Sequence, residues 1–134
     1  MRRLESAPRT RYALRAMSWK ELSTDDAHEL TRTVKDLVVL DVRSPAEYVG
    51  PCGHLQGSVL IPINELQDRW RELEIYRDKP ILAICYTGVR SRAACGYLAH
   101  LGFKTLYNAP GMMDWHDRNY EVVPGEPTPD MPEC

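Results

Sequence analysis

The fold of this chain is decided by the stretch ILAICYTGVRSRAACGYLAH, which occupies residues 81–100. Its first four residues are apolar without alternation, which is typical of a strand buried on both faces of a parallel sheet. Residues 90–100 predict a helix, and Gly102 stands where a helix commonly ends. The apolar stripe of that helix comprises Ala94, Tyr97, Leu98 and Leu101. A strand, a short loop and a helix are therefore expected in succession.

The rest of the chain repeats this alternation. Apolar runs predict strands at 37–40, 59–61 and 105–107, and helices are predicted at 65–73 and 111–119. Residues 44–47 (SPAE) predict a short helix, because a serine cap, a proline and a glutamate stand in capping-box order. Similar spacing predicts a short helix from Trp19, and Thr24 or Asp25 would cap another through Leu30. The pattern indicates an α/β fold with a mostly parallel sheet.

Size and charge limit the functions to consider. The chain has 134 residues, enough for one ordinary domain, and a formal net charge of -2. This charge gives no electrostatic case for nucleic acid or an anionic membrane as the main partner. No apolar run approaches the roughly 18–20 residues that span a bilayer. We expect neither a nucleic-acid nor a membrane partner.

Three segments are expected: a basic arm at 1–17, a folded domain at 18–123 and a proline-rich tail at 124–134. The arm has five arginines and one acidic residue, Glu5. We interpret it as a frayed end, and the alternative is an organelle transit peptide. The prolines of the tail predict an extended or disordered segment.

The four cysteines do not form a metal-binding or disulfide pattern. Cys52, Cys85, Cys95 and Cys134 include no CxxC pair, and no metal or cofactor is expected. The chain is also long enough to fold without disulfide staples. Reduced thiols in a cytoplasmic setting are the simplest interpretation. Cys95 lies between Ala94 and Gly96 on the predicted helix and is expected in the core.

Cys85 stands where chemistry is expected, at the carboxyl end of a buried strand and before a helix. The positive end of the helix dipole, together with the charge of Arg90, would favour a thiolate. Gly88 permits the backbone conformation of a tight loop. The resulting ring of amides could hold a sulfonate, a persulfide sulfur or a phosphate. The alternative, a buried core cysteine, explains neither Gly88 nor Arg90.

Four segments together resemble the rhodanese family, and the resemblance covers about 18–119. Residues 85–91 (CYTGVRS) look like its active-site loop, and residues 40–48 (LDVRSPAEY) look like its upstream signature. Residues 53–62 (GHLQGSVLIP) and 111–115 (GMMDW) resemble two further signatures. Two features depart from the family pattern: residues 49–52 look like a small insertion, and Pro110 stands where a second glycine is common.

The resemblance implies a three-layer fold, a five-stranded sheet with helices on both faces, and a two-step sulfur transfer. The Cys85 thiolate would take the outer sulfur of a donor such as thiosulfate, and the resulting persulfide would pass it to cyanide, a thiol or a protein acceptor. Amides of the loop would bind the persulfide; these belong to Tyr86, Thr87, Gly88, Val89 and Arg90. Arg90 would either bind the sulfonate of the donor or brace the loop.

Supporting roles follow from the same resemblance. Asp41 would support the site and Arg43 would pair with Glu47; the alternative is a purely structural salt-bridge cluster.

His54 is interpreted as a turn residue, since a preformed thiolate needs no general base. Cys52 and Cys134 are interpreted as solvent-facing bystanders, with the alternative that either attacks a persulfide on Cys85.

Two other functions remain open at the sequence level. A cysteine-dependent phosphatase or arsenate reductase on this fold would also join a cysteine to an arginine, but with one more residue between them. Cys85 to Arg90 spans six positions inclusive, which is the shorter loop. A persulfide carrier or docking module, with little turnover, would need the same loop as the enzyme.

Overall fold

The computed structural model describes residues 18–134, in which five strands form one sheet. The strands are β1 (Lys20–Glu21), β2 (Val38–Asp41), β3 (Val59–Leu60), β4 (Ile81–Ile84) and β5 (Leu106–Asn108). Their order is β1-β5-β4-β2-β3, and every neighbouring pair is parallel. The predicted α/β fold with a parallel sheet is confirmed. The predicted arm at 1–17 lies outside the described residues.

The helices of residues 18–134 connect these strands. They are α1 (Thr24–Thr33), α2 (Pro45–Tyr48), α3 (Ile63–Arg69), a 3-10 helix (Trp70–Tyr76), α4 (Val89–His100) and α5 (Met112–Asp117). The predicted capping box forms at α2, where the Ser44 hydroxyl accepts from the Glu47 amide and the Glu47 carboxylate accepts from the Ser44 amide. None of these helices is long and apolar enough to cross a membrane.

Strand β4 separates two apolar cores because its side chains alternate between the two faces of the sheet. All four residues of Ile81–Ile84 are fully buried. Ile81 and Ala83 share a core with α3 and α4, which contribute Leu66 and Leu98. Leu82 and Ile84 share the other with α1 and α5, which contribute Ala27 and Trp115. Helices therefore cover both faces of the sheet, and the predicted three-layer architecture is confirmed.

The start of the described chain differs from the prediction. Residues 20 and 21 form an edge strand, in which Lys20 pairs with Tyr107 and Glu21 with Asn108. The Glu21 carboxylate accepts from the indole of Trp19 and from the side chain of Asn108. The predicted helix from Trp19 is therefore wrong, because pairing with β5 overrides the local capping signal. Helix α1 is capped by Ser23, one residue before the predicted Thr24.

Two cysteines expected as reduced bystanders form a disulfide. Cys52 and Cys134 are bonded to each other, although 82 positions separate them in the sequence. Cys52 is only 6% exposed and belongs to the core on the α1 and α5 face. The interpretation of both residues as solvent-facing thiols is therefore wrong. Because two of the four cysteines are oxidised, the cysteines no longer indicate a cytoplasmic setting. Cys85 and Cys95 are free thiols.

The proline-rich tail, expected to be extended or disordered, forms no helix or strand and packs against the residues that look like an insertion. The Glu126 amide donates to the Val49 carbonyl over 2.9 Å. Gly125 lies so close to that segment that a Cβ would stand 2.1 Å from the Gly50 oxygen. Further along, Thr128 and Met131 exchange backbone hydrogen bonds and form a turn. These contacts and the disulfide hold the tail at both of its ends.

We expect loss of the disulfide to destabilise the protein. A Cys52→Ser/Cys134→Ser variant should lose about 2–4 kcal/mol of unfolding free energy, because the bond restricts a long loop of the unfolded chain. Denaturant unfolding of both proteins, with and without reductant, measures this. Reductant should lower the stability of the wild type to that of the variant and leave the variant unchanged. In addition, the unreduced, denatured wild type should expose two reactive thiols of its four cysteines. Four reactive thiols, or equal stabilities, would contradict the disulfide.

Candidate active site

Cys85 lies at the carboxyl end of β4, between the chain segments that follow β2 and β5. The Val42 amide donates to the Ile84 carbonyl over 3.0 Å. On the other side, the amides of Met112 and Met113 donate to the carbonyls of Cys85 and Tyr86. The first turn of α5 and the end of β2 thus hold the start of the loop. Cys85 itself is 1% exposed.

Three hydrogen-bonding groups surround the Cys85 sulfur. The amide nitrogens of Gly88 and Ser91 lie 3.1 Å and 3.3 Å from Sγ. The Ser91 hydroxyl oxygen lies 3.2 Å from Sγ. Both amides belong to the start of the 12-residue helix α4, whose first turn leaves amides without helical partners. Donors at this position can stabilise a negative charge that develops in a reaction, so the cradle suits a nucleophilic sulfur or a bound anion.

The sequence-predicted loop residues take different positions around this cradle. Gly88 supplies an amide to the sulfur, as expected, and Ser91 supplies an amide and a hydroxyl that were not expected as site groups. Thr87 and Val89 are exposed on the outside of the loop, and Val89 is 65% exposed. Tyr86 is half-buried. Ser91 follows Arg90 in the first turn of α4, and the start of this helix was the signal that could have identified it.

The loop conformation requires glycine at position 88. Gly88 has a φ of +90°, which residues other than glycine rarely adopt. A Cβ at this position would also lie 3.1 Å from the Pro110 carbonyl oxygen. The Asn108 side chain donates to the Gly88 carbonyl over 3.1 Å and to the Glu21 carboxylate over 2.9 Å. Asn108 was also missed by sequence reasoning. It ties the cradle to the end of β5 and to the edge strand β1.

Arg90 forms a two-pronged salt bridge with Glu47, over 2.8 Å and 2.9 Å. The hydrogen bonds from Arg90, together with the Ser44 amide, lower the pKa of Glu47 to about 2 although partial burial opposes this. The same hydrogen bonds raise the pKa of Arg90. Arg90 therefore stays charged while its guanidinium is held against α2.

The expected pairing of Arg43 with the Glu47 carboxylate is wrong. Arg43 pairs with Asp41, with Nη2 lying 2.8 Å from the carboxylate, and both side chains are almost fully buried. Arg43 also donates to the backbone carbonyls of Glu47 and Gly53 over 3.2 Å and 2.8 Å. These bonds satisfy a buried charge pair that would otherwise be costly, and they join the end of β2 to the following turns. Asp41 and Arg43 thus form a buried ion pair that fixes the backbone beside the loop.

Neither His54 nor Cys95 contacts the sulfur through any hydrogen bond found in residues 18–134. His54 stacks on the Tyr48 ring, and its Nδ1 lies 3.0 Å from the Tyr48 carbonyl oxygen. Its backbone pairs with Val123. Cys95 is fully buried, and this burial raises the pKa of its thiol to about 12. Cys95 occupies the core position expected for it.

A cavity of about 290 Å³ opens beside the loop, bounded by Tyr86 on one side and by Cys52 and the tail on another. Arg43 and Glu47 also line this cavity. A second cavity, of about 470 Å³, lies near α1 and includes His28 and Trp115. Among residues 18–134 there is no group of three or more histidine, cysteine and acidic side chains that could hold a metal ion.

Comparison with known proteins agrees with this architecture. The sequence model of the rhodanese-like domain family matches residues 23–118. The chain is 33% identical over 95 residues to the thiosulfate sulfurtransferase GlpE of Pseudoalteromonas translucida, covering 71% of this chain and 86% of the relative. It is 34% identical over 90 residues to GlpE of Pseudomonas syringae, covering 66% and 81%.

Solved structures show the same fold. The rhodanese-related protein of Thermoplasma volcanium superposes with a TM-score of 0.67 at 36% identity, covering 78% of this chain and 97% of that chain. A polysulfide-sulfur transferase homodimer of Wolinella succinogenes superposes with a TM-score of 0.66 at 22% identity, covering 95% and 93%. The four sequence segments, the fold and the family match agree, and this chain belongs to the rhodanese-like domain family.

Proposed function

We propose that this protein is a sulfurtransferase that carries a sulfane sulfur on Cys85. The observation that carries the proposal is the cradle around Cys85 Sγ, in which two amides and one hydroxyl of the α4 start lie within 3.3 Å of the sulfur. These donors would stabilise the thiolate before the reaction and the anionic persulfide after it. The names of the relatives, thiosulfate sulfurtransferase, support a sulfurtransferase function in general.

The proposed cycle has two displacements at sulfur. In the first, the Cys85 thiolate attacks the outer sulfur of thiosulfate; a new S–S bond forms, the bond within thiosulfate breaks, and sulfite leaves with the electron pair. In the second, an acceptor such as cyanide or a thiolate attacks the outer persulfide sulfur. The bond to Sγ breaks and its electron pair restores the Cys85 thiolate. The reaction needs no redox partner.

Arg90 acts in this proposal as a brace for the loop. Both terminal nitrogens of its guanidinium are engaged by Glu47, which in turn caps α2. A sulfonate would have to compete with this carboxylate for the arginine. Binding of the donor sulfonate by Arg90 is the weaker of the two roles.

The length of the loop favours sulfur over phosphate as the group that is held. Cys85 to Arg90 spans six positions, whereas the phosphatases considered above have one more residue, which enlarges the ring for a tetrahedral anion. Clear phosphatase turnover with background thiosulfate–cyanide transfer would refute the proposed activity.

We expect Cys85→Ala to abolish both loading and transfer. Wild-type protein treated with thiosulfate should gain one sulfur atom by intact mass and lose it when a thiol is added, whereas the variant should gain none. Thiosulfate–cyanide transfer should fall to background. The matched control is Cys95→Ala, which removes the other free thiol and should keep the loading.

The outcomes separate the proposals. Loading in Cys85→Ala would refute the assignment of the sulfur-carrying residue. Loading of the wild type with negligible steady-state transfer to cyanide or small thiols would identify a persulfide carrier that serves a protein acceptor.

We expect Glu47→Gln to remove an acid-sensitive part of the stability. The carboxylate has a pKa of about 2 in the folded protein against an ordinary value of 4.5, so its salt bridge stabilises the fold above pH 4.5. Protonation of the wild type then removes this contribution as the pH falls toward about 2. The variant should therefore be less stable at pH 7, and the difference should close in acid. Denaturant unfolding across this pH range measures it; a constant difference would contradict the Arg90 contact.

A further inference from the structure

The cavity beside the loop is lined by three parts of the chain that lie far apart in sequence. Tyr86, the residue after Cys85, forms one wall, and Pro51 of the insertion forms another. The tail supplies Met131 and Pro132 together with two acidic residues, Asp130 and Glu133. A cavity of about 290 Å³ is small, so a molecule in it lies close to Tyr86 and the tail at once.

The uncompensated charge of this cavity is negative. Arg43 and Glu47 also line it, but Arg43 is paired with Asp41 and Glu47 with Arg90. Asp130 and Glu133 are exposed, and neither forms an ion pair with another residue of 18–134. Two carboxylates therefore act on whatever enters the cavity, and no cation of residues 18–134 pairs with them. Apolar walls next to them suit a short carbon chain with a positive end.

The tail stays at this position because three contacts hold it. The Glu126 amide bonds to the Val49 carbonyl, and Gly125 packs on the same backbone. At the far end, the Cys134 disulfide joins the tail to Cys52, which itself lines the cavity. The two carboxylates lie between these attachments, so the disulfide determines whether their charge stays at the entrance.

We propose that this cavity binds the acceptor thiol and selects cationic aminothiols over anionic thiols, with the disulfide-held carboxylates of Asp130 and Glu133 as the selecting groups. The inference rests on the proposed function. The acceptor thiolate attacks the outer sulfur of the Cys85 persulfide; the new bond joins that sulfur to the acceptor, and the electron pair of the broken bond returns to Sγ. The thiol proton goes to solvent when the thiolate forms.

The test uses protein whose Cys85 carries a sulfur atom taken from thiosulfate, after the excess thiosulfate has been removed. The second-order rate of sulfur removal is measured with cysteamine, a cationic thiol, and with 3-mercaptopropionate, an anionic thiol. The ratio of the two rates is compared between wild type and an Asp130→Asn/Glu133→Gln variant, which cancels the intrinsic reactivities of the thiols. The ratio should fall about fivefold in the variant at low ionic strength, and the difference should shrink in about 0.5 M salt.

A matched control removes two acidic residues elsewhere. Glu29 lies on α1, Asp36 lies before the amino end of β2, and both are exposed. Glu29→Gln/Asp36→Asn removes two negative charges, as the cavity variant does. Its ratio should equal that of the wild type. A second variant, Cys52→Ser/Cys134→Ser, frees the tail without leaving a reactive thiol there. Its ratio should shift in the same direction as that of the carboxylate variant.

Each outcome decides one part of the inference. An unchanged ratio in Asp130→Asn/Glu133→Gln overturns the selection by charge, and an equal fall in the control overturns its assignment to the cavity. A wild-type ratio in Cys52→Ser/Cys134→Ser overturns the role of the disulfide. Intact mass before the reaction keeps the proposed function separate, because a failure to load Cys85 refutes that function, whereas loading with an unchanged ratio refutes only this inference.

Discussion

The hydrogen bonds from the amides of Gly88 and Ser91 to Cys85 Sγ are the interactions on which the rest of the site depends. They exist only if the loop turns sharply enough for α4 to start at Val89, one residue after the turn glycine. Buried strand β4 supplies the rigid start of the loop, and α4 supplies the rigid end. The surrounding contacts then hold the loop from two sides.

On one side, Asn108 and the backbone of Pro110 close over Gly88; on the other, Arg90 is fastened to Glu47. Asp41 and Arg43 extend this framework below the loop as a buried pair. The charges are largely neutralised within the framework itself. Outside this framework, the tail that the disulfide holds places two carboxylates in the lining of the cavity beside Tyr86.

Local signals predicted the parts of the fold that local physics determines. The uninterrupted apolar run Ile81–Ile84 is the strand itself, and the Ser44–Glu47 capping box forms as its residue types require. Prediction failed where distant segments decide. The helix expected from Trp19 is replaced by an edge strand because β5 offers pairing partners, and the 52–134 disulfide depends on where the tail packs. Glu47 similarly meets Arg90, 43 positions away, while Arg43 pairs with Asp41.

The most direct measurement of the central claim is the location of the transferred sulfur. Trypsin should cleave after Arg77, Arg90, Arg92 and Lys104, so that Cys85 falls in residues 78–90 and Cys95 in residues 93–104. Protein treated with thiosulfate, trapped by alkylation and digested should carry the additional sulfur on the 78–90 peptide. An additional sulfur on the 93–104 peptide or on a peptide containing Cys52 or Cys134, or none at all, would contradict the account.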